Sequence, residues 1–430
     1  MDDNGGFERE SFPRLLRLVE TPLALYFRPG RNDHVVLAQA LTEGLTGLKG
    51  IVFNPTRLDV QKELHGEASR RGIETILDPR MMELASPVPS PADLSSIKWA
   101  SAARKTSAEL EGSAGKEAAR AIADCVVASN FTAVLAPTHY LMGGATDRWI
   151  SADLSVAKAL RDSLDSAGGR EIPIYYPLAL PSAAFRNSSS RKEILSVLKD
   201  LPVDSFWLRV HPFGTSTSGP IALRGYIAAC QELHALGIPL VAERSGAVGI
   251  ALLAFGAVGG IESGITTGEN YDAVRLVKAP KKKVKPFLPP PRVYLKSLAA
   301  FLPVKEARKF FDLRGMKTFF GCRERCCPRG LADTLTDPRR HFVVTRAEEV
   351  ARVSSVPSML RRQIYMEEVL RPATDLALQA SRAFPALEKQ RRRLESWRGT
   401  LSAVSRENPL KSWSEPPSGR RVRSRSKVSA

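Results

Sequence analysis

Eight short apolar runs recur along the first 280 positions, separated by stretches that place an apolar residue every three or four positions. The runs lie at 23–27, 50–53, 74–77, 131–135, 173–176, 205–210, 238–242 and 258–261. They are continuous rather than alternating, as expected of parallel strands buried on both faces. The stretches at 34–48, 151–164, 224–236 and 249–255 carry helical spacing, for example Leu37, Leu41 and Leu45 in the first. Strand and helix alternating eight times predicts an α/β fold, a (β/α)8 TIM barrel over 1–280. The other doubly wound α/β arrangement is disfavoured because no Gly-x-Gly-x-x-Gly follows the first run.

An insertion at 80–130 interrupts the alternation between the third and fourth runs. It opens with Pro87, Pro89 and Pro91 and continues as a helix predicted over 102–127. In a barrel this loop belongs to the catalytic face, where it serves either as a lid or as a plain peripheral helix. Beyond the eighth run the pattern changes. Residues 281–345 read as a stiff basic linker, with Pro289, Pro290 and Pro291, leading into a cysteine-rich extension. Residues 346–400 form a helical segment with breaks expected near Pro357 and Pro372. Residues 401–430, rich in Ser, Arg and Pro, are expected to stay disordered until they meet a partner.

Charge follows the same division. The chain carries a net +18, but residues 281–430 hold 34 Lys and Arg against 14 Asp and Glu, while residues 1–280 are close to neutral. The dense runs are Lys281–Lys285, Arg391–Arg393 and 420–427. An excess so confined points to a polyanionic partner, nucleic acid before an anionic membrane surface. No apolar run has the length of a membrane span, and the acidic start, Met1-Asp2-Asp3, lacks a signal-peptide core. A cytoplasmic protein with reduced thiols is the expectation.

Reduced thiols change the reading of the cysteines. Cys322, Cys326 and Cys327 sit within six residues, and His341 follows. Three thiols and an imidazole suit tetrahedral Zn2+. Cys125 and Cys230 lie in apolar helical stretches and read as inert packing residues.

Candidate chemistry collects where barrel enzymes keep it, at the C-terminal ends of the strands. The runs end in Arg28, Asn54, Asp78, His139, Arg209, Glu243 and Glu262. Asp78 and Glu262 are the candidate catalytic pair, because two carboxylates with separated roles support acid/base or nucleophilic work at a carbon bearing a leaving group. Gly264-Ile265-Thr266-Thr267-Gly268 is a candidate phosphate-binding turn.

The order of these parts over about 20–345 resembles the tRNA-guanine transglycosylase superfamily. Those enzymes are (β/α)8 barrels with a Cys3His zinc site after the barrel, and they exchange guanine for a 7-deazaguanine through a covalent nucleic-acid intermediate. Asp78 stands where the family keeps an acid/base and base-recognising aspartate, with Pro79-Arg80-Met81 in place of the family's Ser-Gly-Gly-Phe-Gln. Glu262 stands near the family's nucleophilic aspartate. The ligand types and order of Cys322, Cys326, Cys327 and His341 match the family's zinc site at a different spacing. The resemblance implies a base exchange on RNA or DNA, with Glu262 as nucleophile and Asp78 as general acid/base. Arg28, Asn54, His139, Arg209 and Glu243 would bind substrate, and zinc would be structural. Two other readings stay open at this stage: a barrel enzyme acting on a small phosphorylated molecule, and a nucleic-acid-binding barrel without activity.

Overall fold

The computed structural model describes residues 23–30, 32–86, 92–101, 104–266, 269–277 and 290–407. Eight parallel strands close into a barrel: β1 (Ala24–Arg28), β2 (Gly50–Phe53), β3 (Glu74–Leu77), β4 (Ala133–Leu135), β5 (Ile174–Pro181), β6 (Ser205–His211), β7 (Leu240–Glu243) and β8 (Gly260–Gly264). Each strand pairs with its sequence neighbours, and β8 returns to β1 with Tyr26 opposite Glu262. This is the (β/α)8 barrel expected from the sequence. Strand β5 runs five residues beyond the expected end, because its pairing with β6 continues as far as Pro181 opposite His211.

Side chains alternate between the helix layer and the lumen. Tyr26, Val52, Ile76, Ala133, Leu135, Tyr175, Trp207 and Val241 form one buried cluster within the barrel. Trp207 lies 4.8 Å from the Tyr26 ring and 5.7 Å from that of Tyr175. The lumen is therefore a packed core and not a pore. Gly50 makes room for it, since a Cβ there would come within 2.8 Å of the Tyr26 ring.

The insertion between β3 and β4 splits into two parts. The short helix Met81–Leu84 stays at the barrel mouth. The long helix Ser113–Ala128 buries Ala119, Ile122, Ala123 and Val126 and packs alongside the helix Trp149–Ser166, as a barrel helix does. Its predicted start at 102 is too early: the capping box formed by Thr106 and Glu109 opens a separate short helix, Ser107–Glu111, first.

After the barrel, β9 (Arg292–Leu295) and β10 (Ala300–Pro303) make an antiparallel hairpin. The helix Pro338–Ser355 follows and crosses residue 345 without a break. It packs on the barrel, with Phe342 6.5 Å from Phe27 of β1, and Ser354 accepts a hydrogen bond from the Leu23 backbone N–H. The sequence-based division at 345/346 therefore falls inside one helix. Pro357 does end that helix, as expected, but Pro372 does not break the next one. A wide π-helical turn, Tyr365–Leu370, precedes Arg371–Ala383 and shifts the hydrogen-bonding register ahead of the proline ring. The real break falls at Phe384, held extended before Pro385. The last helix, Glu388–Glu407, extends past the expected limit of 400 because Leu401 and Val404 continue its buried stripe. The remainder of the expected disordered tail lies outside the described residues, as do Lys281–Lys285. Among the described residues, no helix is long and apolar enough to cross a membrane.

Candidate active site and metal centre

One step along each strand beyond the apolar lumen, toward the C-terminal ends, the inward positions become charged. Arg28 lies two residues after Tyr26, Asp78 two after Ile76, Arg209 two after Trp207, and Glu243 two after Val241. The period of a strand thus puts them on one level. Glu262 joins them through the register that sets it opposite Glu243.

The five side chains form one buried network. Arg28 reaches Asp78 at 2.5 Å, Glu243 at 3.1 Å and Glu262 at 3.1 Å. Arg209 holds Asp78 at 3.1 Å and Glu243 at 2.6 Å. The Asp78 Oδ1 also accepts the Arg80 backbone N–H. Both oxygens of Asp78 and both of Glu243 are thus engaged. Glu262 differs: its Oε1 meets Arg28, while its Oε2 is buried with no hydrogen-bond partner among the described residues.

The electrostatics separate the two candidate carboxylates. Burial works to raise the Asp78 pKa, but Arg28 and then Arg209 overcome it and hold the group well below the usual carboxylate range. For Glu262 burial prevails. It raises the pKa, Glu243 adds to the rise, and Arg28 opposes it. A roof lies over this layer. Met82 Sδ is 3.6 Å from Arg209 Nη1 and 3.5 Å from the Tyr271 hydroxyl, and Tyr140 packs 6.4 Å from the Tyr271 ring.

Two residues expected at the mouth have other positions. Asn54 caps the turn Pro55–Arg57, its Oδ1 accepting from the Thr56 N–H and hydroxyl. A residue so placed before a proline-led turn is an N-cap. His139 faces the helix layer instead of the lumen. The chain leaves the ladder after Leu135 and rejoins β5 at Tyr140, opposite Ala179, and it is Tyr140 that turns to the mouth. The His139 Nδ1 lies 2.5 Å from Asp153 Oδ1, and the ring stacks on Trp149 at 4.0 Å. Both partners belong to the helix Trp149–Ser166. The candidate phosphate turn begins at Gly264, the last residue of β8, but Thr267 and Gly268 lie outside the described residues. Sequence reasoning passed over Met82 and Tyr271, and it gave Arg244, at the end of the seventh run, no role. No motif flags them, and only the closed barrel brings them together.

The second site lies beyond the barrel. Cys322, Cys326, Cys327 and His341 converge, with all four ligand atoms within 4.8 Å of one another. Sulfur–sulfur separations are 3.6 and 3.7 Å, and His341 Nδ1 lies 3.6 and 3.5 Å from Cys326 and Cys327. Bonds of 2.3 Å to sulfur and 2.0–2.1 Å to nitrogen give tetrahedron edges of about 3.8 Å and about 3.6 Å. The cluster could therefore hold a metal ion. The outer contacts fit the same use: His341 Nε2 lies 2.9 Å from the Tyr294 carbonyl, fixing the ring with Nδ1 toward the sulfurs. The Thr334 hydroxyl donates to Cys327 Sγ at 3.3 Å.

The basic helix was expected to meet polyanions. Arg391 pairs with Glu388 and Glu395, Arg392 pairs with Glu388, and Arg393 bonds Gln390. Exposed pairs of this kind are weakened by solvent screening.

The sequence matches no family model and no curated protein. Solved structures that align with it include an endo-1,4-beta-xylanase from Penicillium canescens, with TM-score 0.37 and 10% identity over 55% of this chain and 81% of that one. A chitinase from Pseudoalteromonas aurantia gives 0.36 and 10% over 56% and 93%. A thermostable xylanase mutant from Cellvibrio japonicus gives 0.34 and 10% over 56% and 85%.

Proposed function

We propose that the protein is a transglycosylase that exchanges a guanine base in nucleic acid for a 7-deazaguanine derivative through a covalent carboxylate intermediate. The observation that carries this reading is the unpartnered Oε2 of Glu262 in a layer where every other carboxylate oxygen is engaged. A nucleophile needs a free lone pair, and Glu262 has one.

The steps balance as follows. Glu262 Oε2 bonds to the anomeric carbon, and the carbon–nitrogen bond to the guanine breaks. The departing base keeps the electron pair and takes a proton from solvent. The incoming base then attacks the same carbon, loses its N–H proton, and releases Glu262 as carboxylate. Asp78, held ionised by Arg28 and Arg209, suits recognition of base N–H groups better than proton donation, so its role shifts from acid to acceptor. Substrate entry requires Met82 and Tyr271 to swing off the charged layer. The Cys3His cluster takes Zn2+ as a structural ion, since protein atoms fill all four positions of the tetrahedron. The basic C-terminal third supplies phosphate contacts whose strength falls with salt.

The test uses the full chain with guanine-containing RNA and DNA oligonucleotides. Wild type should give an adduct that survives denaturing electrophoresis, and Glu262→Gln should give none while keeping its fold. An adduct that persists in Glu262→Gln removes the residue from this role. A chain that binds either polymer but never forms the adduct is a binding barrel.

A further inference from the structure

Arg244 follows β7 directly and has φ 50°, in the left-handed region that residues other than glycine seldom occupy. Its backbone N–H donates to the Glu262 carbonyl at 2.9 Å, which ties the strained residue to the strand that carries the unpartnered carboxylate oxygen. Its guanidinium is unlike its neighbours. Arg28 and Arg209 are bonded to carboxylates on adjoining strands. Arg244 makes no ion pair among the described residues, and its Nε is buried without a hydrogen-bond partner. A buried guanidinium nitrogen without a partner is costly, and sites that retain such strain tend to have a use for it. The charge is also close enough to bear on the mouth, where it opposes the upward shifts of both Glu262 and Tyr271.

We infer that Arg244 is an anion-binding residue that receives a phosphate group of the substrate beside Glu262. The anion comes from the geometry: an uncommitted guanidinium at the C-terminal end of a barrel strand, on the strand pair where barrels frequently hold phosphate. Its identity as a nucleotide phosphate rests on the transglycosylase reading. A nucleotide carries its phosphate only a few bonds from the anomeric carbon. An uncommitted cation at the end of the strand that pairs with the one carrying an uncommitted carboxylate oxygen matches that pairing of anion and electrophile.

Two measurements test this on the full chain. Calorimetry should show deoxyguanosine 5′-monophosphate binding at least tenfold more tightly than deoxyguanosine. Arg244→Gln should remove that preference, and Arg244→Lys should retain part of it. A preference unchanged in Arg244→Gln overturns the inference. The second measurement needs no variant. Phenylglyoxal should modify Arg244 in wild type, as read by peptide mass spectrometry, and inorganic phosphate should protect it; modification undiminished by saturating phosphate overturns the inference. Glu262→Gln separates the two readings, because it should lose the adduct but keep the phosphate preference. A preference present in a chain that forms no adduct would leave the phosphate site standing without the transglycosylase. An adduct without the preference would do the reverse.

Discussion

The molecule buries two polar clusters, and they solve the problem of burial in opposite ways. At the barrel mouth, three carboxylates and two guanidiniums from five strands pair with one another, leaving one oxygen of Glu262 without a bond among the described residues. Beyond the barrel, three thiols and an imidazole stand at spacings set for something between them. The first cluster contains its own counter-charges and holds together without help. The second has only ligand atoms, spaced so that a cation could complete it. Charges that pair across strands leave chemistry at the one atom they omit, whereas ligands of a single kind leave a place for an ion.

The contrast can be broken most severely at the ligand cluster. Structural zinc sites carry an apparent binding free energy of ~10–16 kcal/mol near neutral pH. Cys326→Ser, or a strong chelator, should therefore abolish stoichiometric zinc and loosen the lobe around the hairpin and the helix Pro338–Ser355. Elemental analysis and amide hydrogen exchange read both, and unchanged exchange in metal-free protein would show that the cluster stands without an ion. The mouth should respond less. Arg28→Ala leaves three carboxylates facing one another with only Arg209, and breaking a buried pair costs about 3–5 kcal/mol. Urea unfolding should register that loss, and Arg28→Ala combined with Asp78→Asn should recover part of it. A loss below about 1 kcal/mol, the range of exposed pairs, would mean that the layer is well hydrated.

The smallest effect is in pH dependence, where the two carboxylates act with opposite signs. The Asp78 pKa is lowered in the folded protein, so its contribution to stability is present above its unfolded value of about 3.9 and is lost as pH falls through the folded value. The Glu262 pKa is raised, so its contribution is present below its unfolded value of about 4.3 and is lost as pH rises through the folded value. Melting temperature followed against pH should show Asp78→Asn flattening the acid limb and Glu262→Gln flattening the decline on the other side. Identical profiles for the two variants would refute the separation.

The barrel was legible because parallel strands covered on both faces are mainly apolar, and the eight runs are built mainly of apolar residues, with Glu74 and Arg209 the charged exceptions. The charged layer was legible for a related reason: the first polar inward residue after such a run has nowhere to go but the mouth. That rule places Arg28, Asp78, Arg209, Glu243 and Glu262 correctly. It fails at His139, where the irregular chain from Ala136 to His139 ends the alternation and Tyr140 takes the inward position. It fails at Asn54 because a proline one residue on turns the side chain into a cap. The ligand cluster was legible because three of its members are neighbours in sequence, although only the fold brings His341 to them. Arg244 was visible only as a strand-end residue, since one distinguished by what it does not bond cannot be told from its neighbours in a string of letters.

The helix Pro338–Ser355 carries His341 at one end and, one and a half turns on, Arg346, whose guanidinium grips Glu269 at 2.7 Å in the segment just past β8. The same rod therefore anchors the sulfur cluster and braces the approach to Tyr271. A barrel cut free after residue 280 would lose that brace and the cover that Phe342 gives to Phe27. The two lobes are best thought of as a single machine part, in which a defect in either should be felt at the other.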